Sequence, residues 1–489
     1  MDTLEGKMAP AAGVSGTANQ RPIGTRRASL ALLAFAQLIY SLDIYVVFVA
    51  LPEIGTDLGF SGQTLQWVVS AYTVFCGGFL LLGGRAADLL GNRRMFVLAL
   101  ALYAASSLVG GLAWSPGVII AARAVQGIGG ALLFPATLSL INRLFAEGLE
   151  RNRALAVWGG AGATGLTLGS LVGGFLTNAF GWPSVFFVNV LLAGIAILAA
   201  FAVIPRDRPR QERRSFDIPG AVTVTAGATL LVYVLVQGPE YGWNSTSIAV
   251  SAALAAILLV LFAIIEARSK DPLMPMRLFR NRHLIAGITI TFIFMGTFGA
   301  LPYFQTVFFQ KVLGFTPLQT GLAFLVPCVA IATGTQIGER LATRFATRNT
   351  LLIGMIVGAI GTAAMAPGAV ADSGYLAIVP GLVISGIGQG ITWTAMWIAA
   401  ASGVHNDDQG VASGMASTTL NVGNAIGLAT LIAIANAGIN GLAGDQLRIA
   451  IADGTQIAFY LTAAGVLFGL LVSLTLPRKT TSVIASQAA

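Results

Sequence analysis

Gly84-Arg-Ala-Ala-Asp88-Leu-Leu-Gly91-Asn-Arg93-Arg94 is a short charged stretch set between two long apolar runs, 65–83 and 95–113. A helix needs about 20 apolar residues, at 1.5 Å each, to cross ~30 Å of hydrocarbon. Both flanking runs meet that measure, so the charged stretch reads as a tight loop at a membrane surface. Arg85 to Arg93 has a faded echo in Arg340-Leu-Ala-Thr-Arg344-Phe-Ala-Thr-Arg348, 255 residues further on, and Gly127-Ile-Gly129 recurs as Gly386-Ile-Gly388 after 259. Offsets this similar imply two halves of the same build inserted in the same direction, one arrangement by which transporters alternate access to a midplane site.

Composition extends the membrane reading to the whole chain. Soluble proteins carry about 25% charged residues. Here 10% of 489 residues are charged and 56% are hydrophobic, with a mean hydropathy of +0.80. Soluble, fibrous and disordered classes are thereby excluded. The 59 glycines suit helices packed closely in a bilayer. The same ruler finds fourteen spans: 29–51, 65–83, 95–113, 117–140, 154–178, 185–205, 218–237, 247–266, 284–308, 319–338, 350–368, 376–400, 411–436 and 456–476.

Fourteen is even, so both termini share a side. With that side inside, 25 of the 28 Lys and Arg fall in inner segments; the outer loops hold only Lys311 and Arg448, and Arg123 lies within a span. The positive-inside rule then makes the termini cytoplasmic in a multi-pass cell-membrane protein. The net charge of +8 belongs to this asymmetry and gives no reason to expect nucleic acid as a partner. The organisation that follows is a cytoplasmic tail 1–28, a six-helix bundle 29–205, an inserted helix pair with basic linkers 206–283, a second six-helix bundle 284–476 and a tail 477–489. Cys76 and Cys328 lie in apolar runs and supply neither a disulfide framework nor a metal cluster.

Two charges lie deep in spans. Asp43 stands eight residues before Leu51 and Arg123 about seven residues into its span, which puts both roughly 10–12 Å below the outer surface. A charge there costs at least ~2.5–3.5 kcal/mol on insertion scales, and such residues usually face a cavity or a partner. Burial disfavours the charged carboxylate and a nearby guanidinium favours it. A carboxyl poised between the two can load and release a proton, which makes Asp43 the candidate proton-coupling residue, with Arg123 as its partner if spans 29–51 and 117–140 adjoin. A purely structural Asp–Arg or Asp–backbone pair is the alternative, as is an Arg123 that only satisfies backbone carbonyls of span 1. The Arg123 face continues through Gly127, Gly130 and Phe134.

Several segments resemble signatures of the major facilitator superfamily, in particular its fourteen-span drug:proton antiporter branch of multidrug efflux transporters. The stretch Gly84 to Arg94 resembles the inner-loop motif, which implies a conformational switch formed by Gly84, Asp88, Gly91, Arg93 and Arg94. Arg123-Ala-Val-Gln126-Gly127-Ile-Gly129 is similar to the intramembrane arginine motif, and Leu42-Asp43-Ile-Tyr-Val-Val-Phe-Val-Ala-Leu51-Pro52 to the signature that ends span 1. Weaker echoes are Trp182 with Phe186 and Asn189, and Asp217 with Gly220. Gly165, Gly169, Gly173 and Gly174 resemble the antiporter motif of span 5, with Ser170 where the family usually has proline. Pro183 and Ser184 replace the usual Arg-Trp pair.

The resemblance implies an all-α polytopic fold of two six-helix bundles plus an inserted hairpin. It also implies a central cavity for small hydrophobic, drug-like substrates. Candidates to line it are Tyr40, Tyr45, Phe294, Phe298, Tyr303, Trp393 and Trp397, with Gln126, Phe134 and Gln389; aromatic faces accept flat apolar compounds and hold cations.

The expectation is a monomeric, proton-coupled exporter of hydrophobic cationic or neutral compounds, with no cofactor beyond the proton gradient and no metal. A dedicated exporter of one metabolite or self-made antibiotic is the close alternative; a solute importer, or a membrane enzyme or sensor, is more remote. Gly160-Ala-Gly162-Ala-Thr-Gly165 satisfies a dinucleotide fingerprint but lies within a span and follows no strand, so it reads as helix packing. With two histidines, at span ends, neither zinc nor Ser/His/Asp chemistry has its parts, so an enzyme is not expected.

Overall fold

The computed structural model describes residues 23–61, 64–145, 149–207, 217–242, 244–269, 276–402, 409–439 and 441–476. Its helices are α1 (Ile23–Asp57), α2 (Trp67–Leu90), α3 (Asn92–Gly111), α4 (Pro116–Leu144), α5 (Leu149–Phe180), α6 (Ser184–Val203), α7 (Ile218–Tyr241) and α8 (Thr246–Arg268), followed by α9 (Arg282–Thr297), α10 (Leu301–Val307), α11 (Pro317–Ala323), α12 (Leu325–Arg344), α13 (Thr347–Met365), α14 (Tyr375–Ala401), α15 (Gln409–Ala435) and α16 (Gly444–Ser473). All fourteen expected spans fall on helices. Among the described residues eleven helical segments are long and apolar enough to cross a membrane, and the remaining three spans hold shorter apolar stretches, Trp67–Leu80, Leu168–Phe180 and Pro219–Leu231, inside the longer helices α2, α5 and α7.

Span 284–308 is not one straight helix. A 3-10 turn at Phe298–Ala300 separates α9 from α10, Pro302 sits in the first turn of α10, and a π-helical turn follows at Phe308–Val312. Proline has no N–H to offer the preceding turn, so the ladder breaks there. In span 319–338 the short α11 precedes α12, and α11 starts on a capping box of Thr316 and Gln319.

The repeat read from the sequence is repeated contact for contact. A Cβ on Gly129 would lie 3.2 Å from Ala99 O and from Tyr103 N; one on Gly388 would strike Gly358 N and lie 2.7 Å from Gly354 O. Gly129 and Gly388 are 259 apart, and both partner pairs are 255 apart. Likewise Gly127 abuts Tyr72 O and Gly386 abuts Pro327 O, again with a 255-residue offset between the partners. The glycines bring α4 against α2 and α3, and α14 against α12 and α13, at backbone distance. These are two bundles of one design, α1–α6 and α9–α16, with α7 and α8 added. Helix α7 leans on α2, where Thr225 Oγ1 donates to Gly78 O at 2.8 Å, and α8 packs on α7 while exposing Val250, Leu254, Ile257 and Val260.

The bundles meet at mid-span through α2 and α15 and toward the predicted outer end through α1, α5, α11 and the π-helical turn after α10. Gln310 Nε2 donates to Val49 O at 2.8 Å, and Thr418 Oγ1 to Gly77 O at 3.2 Å. Gly174 abuts Pro317 O, Gly321 abuts Ser170 O, and the Tyr45 and Phe324 rings are 5.9 Å apart. Toward the predicted inner end, Gly159 and Gly160 of α5 face open space, and the polar Thr164 of α5 and Thr333 and Gln336 of α12 are exposed. The named contacts between the bundles thus lie mostly in the outer half of the spans, while these inner residues of α5 and α12 are open to their surroundings.

Candidate functional site

Asp43 occupies the middle of α1 and is fully buried, 0% exposed; Arg123 of α4 is 2% exposed. Arg123 Nη1 donates to Asp43 Oδ2 at 2.6 Å and to Gln126 Oε1 at 2.6 Å, and Nε donates to Val68 O at 2.9 Å. The other carboxylate oxygen, Oδ1, accepts from Gln126 Nε2 at 3.0 Å and from Asn189 Nδ2 at 2.5 Å. Gln126 Nε2 also donates to Ser107 Oγ at 2.9 Å. The guanidinium lies 4.4 Å above the Tyr72 ring, a cation–π contact in a water-poor setting. Five helices, α1, α2, α3, α4 and α6, converge on one ion pair whose hydrogen-bonding capacity is largely used.

Local sequence explains the convergence. Gly165, Gly169 and Gly173, one helical turn apart, let α5 lie on the α1 backbone: a Cβ at Gly165 would come 2.6 Å from Leu38 O, Gly169 abuts Leu42 O, and one at Gly173 would sit 2.9 Å from Val46 Cα. This clamps the turn of α1 that carries Asp43. Gly174, the fourth glycine, instead faces α11 of the other bundle. With Ser170 in place of proline, α5 runs unbroken from Leu149 to Phe180.

Of the inner-loop residues, Gly91 turns the chain between α2 and α3 at φ +102, where a side chain would be strained. Asp207 caps α3, accepting from Arg93 N at 3.1 Å and Arg94 N at 3.0 Å. Arg93 Nη2 donates to Phe201 O at 3.1 Å, with its guanidinium 5.3 Å from the Phe201 ring centre. All of these contacts stay within the first bundle and the start of the linker that follows it. Gly84 and Asp88 belong to α2 at positions whose surroundings lie outside the described residues.

The expected cavity residues form separate groups. Tyr40 lies 5.7 Å from Phe134, which lies 5.2 Å from Trp158. In the other bundle Phe294 is 5.2 Å from Phe298 and 5.7 Å from Trp393, which is 5.9 Å from Trp397. Tyr45 sits at the seam between bundles, Tyr303 packs on Phe304 at 5.4 Å, and Gln389 donates to Ser385 Oγ at 3.2 Å. Gln126 belongs to the ion-pair network. The two aromatic groups belong to opposite bundles; of the second, Trp393 is 37% exposed.

Sequence reasoning missed Ser107, Tyr72, Tyr103 and Asp207, and noted Asn189 without a role. Asn189 was readable as a polar residue in the apolar span 185–205. Asp207 stood out as an acid in a basic linker.

The chain belongs to the Major Facilitator Superfamily, whose family model matches residues 33–428; it is a multi-pass membrane protein of transporter type. It is similar to the cephamycin export protein CmcT of Amycolatopsis lactamdurans, 37% identical over 438 residues that cover 88% of this chain and 89% of that protein. It is also similar to the puromycin resistance protein pur8 of Streptomyces alboniger, 36% identical, covering 86% and 83% of the two chains. A crystal structure of a D-xylose-proton symporter shares the fold, with a TM-score of 0.67 at 15% identity over 92% of this chain and 98% of that one.

Proposed function

We propose that the protein is a proton-coupled antiporter that exports hydrophobic, cationic or neutral antibiotic-type compounds by alternating access. The observation that carries this reading is Asp43, a carboxylate with no exposed surface, bonded at mid-span to an arginine of another helix. Protonation removes the charge that holds Arg123. A charge-assisted hydrogen bond becomes a neutral one, roughly half as strong, while Arg123 keeps Val68 O and Gln126 as partners. Helix α1, gripped by α5, is then free to shift relative to α4. Since α5 also touches α11 through Gly174, such a shift reaches the seam between the bundles. Substrate is received between the aromatic groups of the two bundles, and the proton gradient is the sole energy source. The arginine-rich inner segments support cytoplasmic termini in the cell membrane, and the protein works as a monomer.

A dedicated exporter of one antibiotic is the second reading, favoured by the names of the cephamycin and puromycin relatives. Proteoliposomes with an imposed pH gradient test both. Uphill movement of ethidium and puromycin by the wild type, lost in Asp43→Asn, is the expected result; transport of puromycin alone favours the narrow reading. Gradient-driven transport undiminished in Asp43→Asn would refute the antiport mechanism.

A further inference from the structure

The buried carboxylate needs a route by which hydrogen ions come and go, and Asp43 itself touches no solvent. Two buried phenols flank the ion pair without hydrogen-bond partners, the hydroxyls of Tyr72 and Tyr103. Tyr103 of α3 faces Asp43. Tyr72 of α2, under the Arg123 guanidinium, faces Tyr40 and Tyr103. Tyr40, three residues before Asp43 on α1, lies 3.5 Å by its hydroxyl from Cys76 Sγ, and its ring is 6.4 Å from that of Tyr72. Beyond it come Phe134, Trp158 and the open space at Gly159.

Burying an unpaired hydroxyl costs about 1–3 kcal/mol. The scaffold does not demand these two: at the matching contacts of the second bundle, Pro327 stands for Tyr72 and Gly358 for Tyr103. We propose that Tyr103, Tyr72 and Tyr40 form a hydroxyl relay connecting Asp43 to the open space beside Gly159 of α5. This deepens the antiport reading and rests on it. In the relay each hydroxyl passes its hydrogen to the next oxygen, directly or through one water, as it accepts another. One O–H bond breaks for each that forms, and the net change is one proton gained or lost at Asp43. The charged or titratable groups facing this route among the described residues are Arg123, Cys76 and the three tyrosines themselves.

The test is a stopped-flow pH jump on the purified full-length protein, read with a soluble pH dye. The proton amplitude missing from Asp43→Asn identifies the Asp43 proton. Tyr103→Phe and Tyr72→Phe keep the ring and the packing. They should retain that amplitude and ethidium binding at fixed pH while its rate falls roughly tenfold, less than the 10²–10⁴-fold of general acid–base groups because water substitutes in part. Tyr460→Phe, an exposed position on α16, should match the wild-type rate. Unchanged rates in both relay variants overturn the relay and leave the Asp43 reading standing. An amplitude that Asp43→Asn does not reduce removes that reading, and the relay with it.

Discussion

The two bundles share a hydrogen bond and differ in what surrounds it. In the first, Gln126 of α4 reaches Ser107 of α3 at 2.9 Å; in the second, Ser385 of α14 meets Thr362 of α13 at 2.8 Å. Gln126 and Ser385 are 259 residues apart, and Ser107 and Thr362 are 255 apart, the offsets of the sequence repeat. Among the described residues, only in the first bundle does this bond extend into a charged network. Leu382, 1% exposed, holds the position corresponding to Arg123. The repeated contacts are therefore scaffold, and the charged network lies where the halves depart from each other.

Making the first bundle resemble the second should have the largest effect. Arg123→Leu leaves Asp43 charged, buried and unpaired, and should cost about 3–5 kcal/mol, seen as loss of folded protein in detergent. Asp43→Asn combined with Arg123→Leu should recover most of that stability without recovering proton-driven export. A double variant no more stable than Arg123→Leu would show that the pair is not the source of the cost. The reverse substitution, Leu382→Arg, places a charge where no carboxylate waits and should cost at least ~2.5–3.5 kcal/mol; a neutral effect would mean the second bundle can hydrate that site.

Smaller effects probe the shared scaffold. Gly388→Ala drives a methyl into the Gly358 backbone, whereas Gly129→Ala meets its neighbours at 3.2 Å. The first should lose about 1–3 kcal/mol of thermal stability, and the second clearly less. Equal losses would break the claim that the second bundle is packed tighter at this crossing. Ser107→Ala and Ser385→Ala should each lose about 1 kcal/mol. Only Ser107→Ala should also alter the pH dependence of transport, because it releases Gln126 from one of its two acceptors.

Much of this was legible in the sequence for physical reasons. Span length and arginine placement follow from the bilayer, and the glycine pairs marked crossings where helix backbones approach closely. The depth of Asp43 and Arg123 along their own helices was countable, and it put them level with each other. What depth cannot supply is azimuth. That Asn189, Tyr72 and Tyr103 turn toward the same point depends on how α6, α2 and α3 are rotated, and apolar spans with weak amphipathic patterns do not encode rotation. The partners of the aromatic candidates were out of reach of the sequence for the same reason. Phe134, taken from the Arg123 face, and Phe294, taken by its helix, each pack with aromatics of their own bundle.

The most direct test of the account is the count of protons released when ethidium binds to the purified protein in weakly buffered solution. Release by the wild type, abolished in Asp43→Asn with ethidium binding retained, is the predicted result. Equal release by the two proteins would contradict the assignment of Asp43 as the proton site.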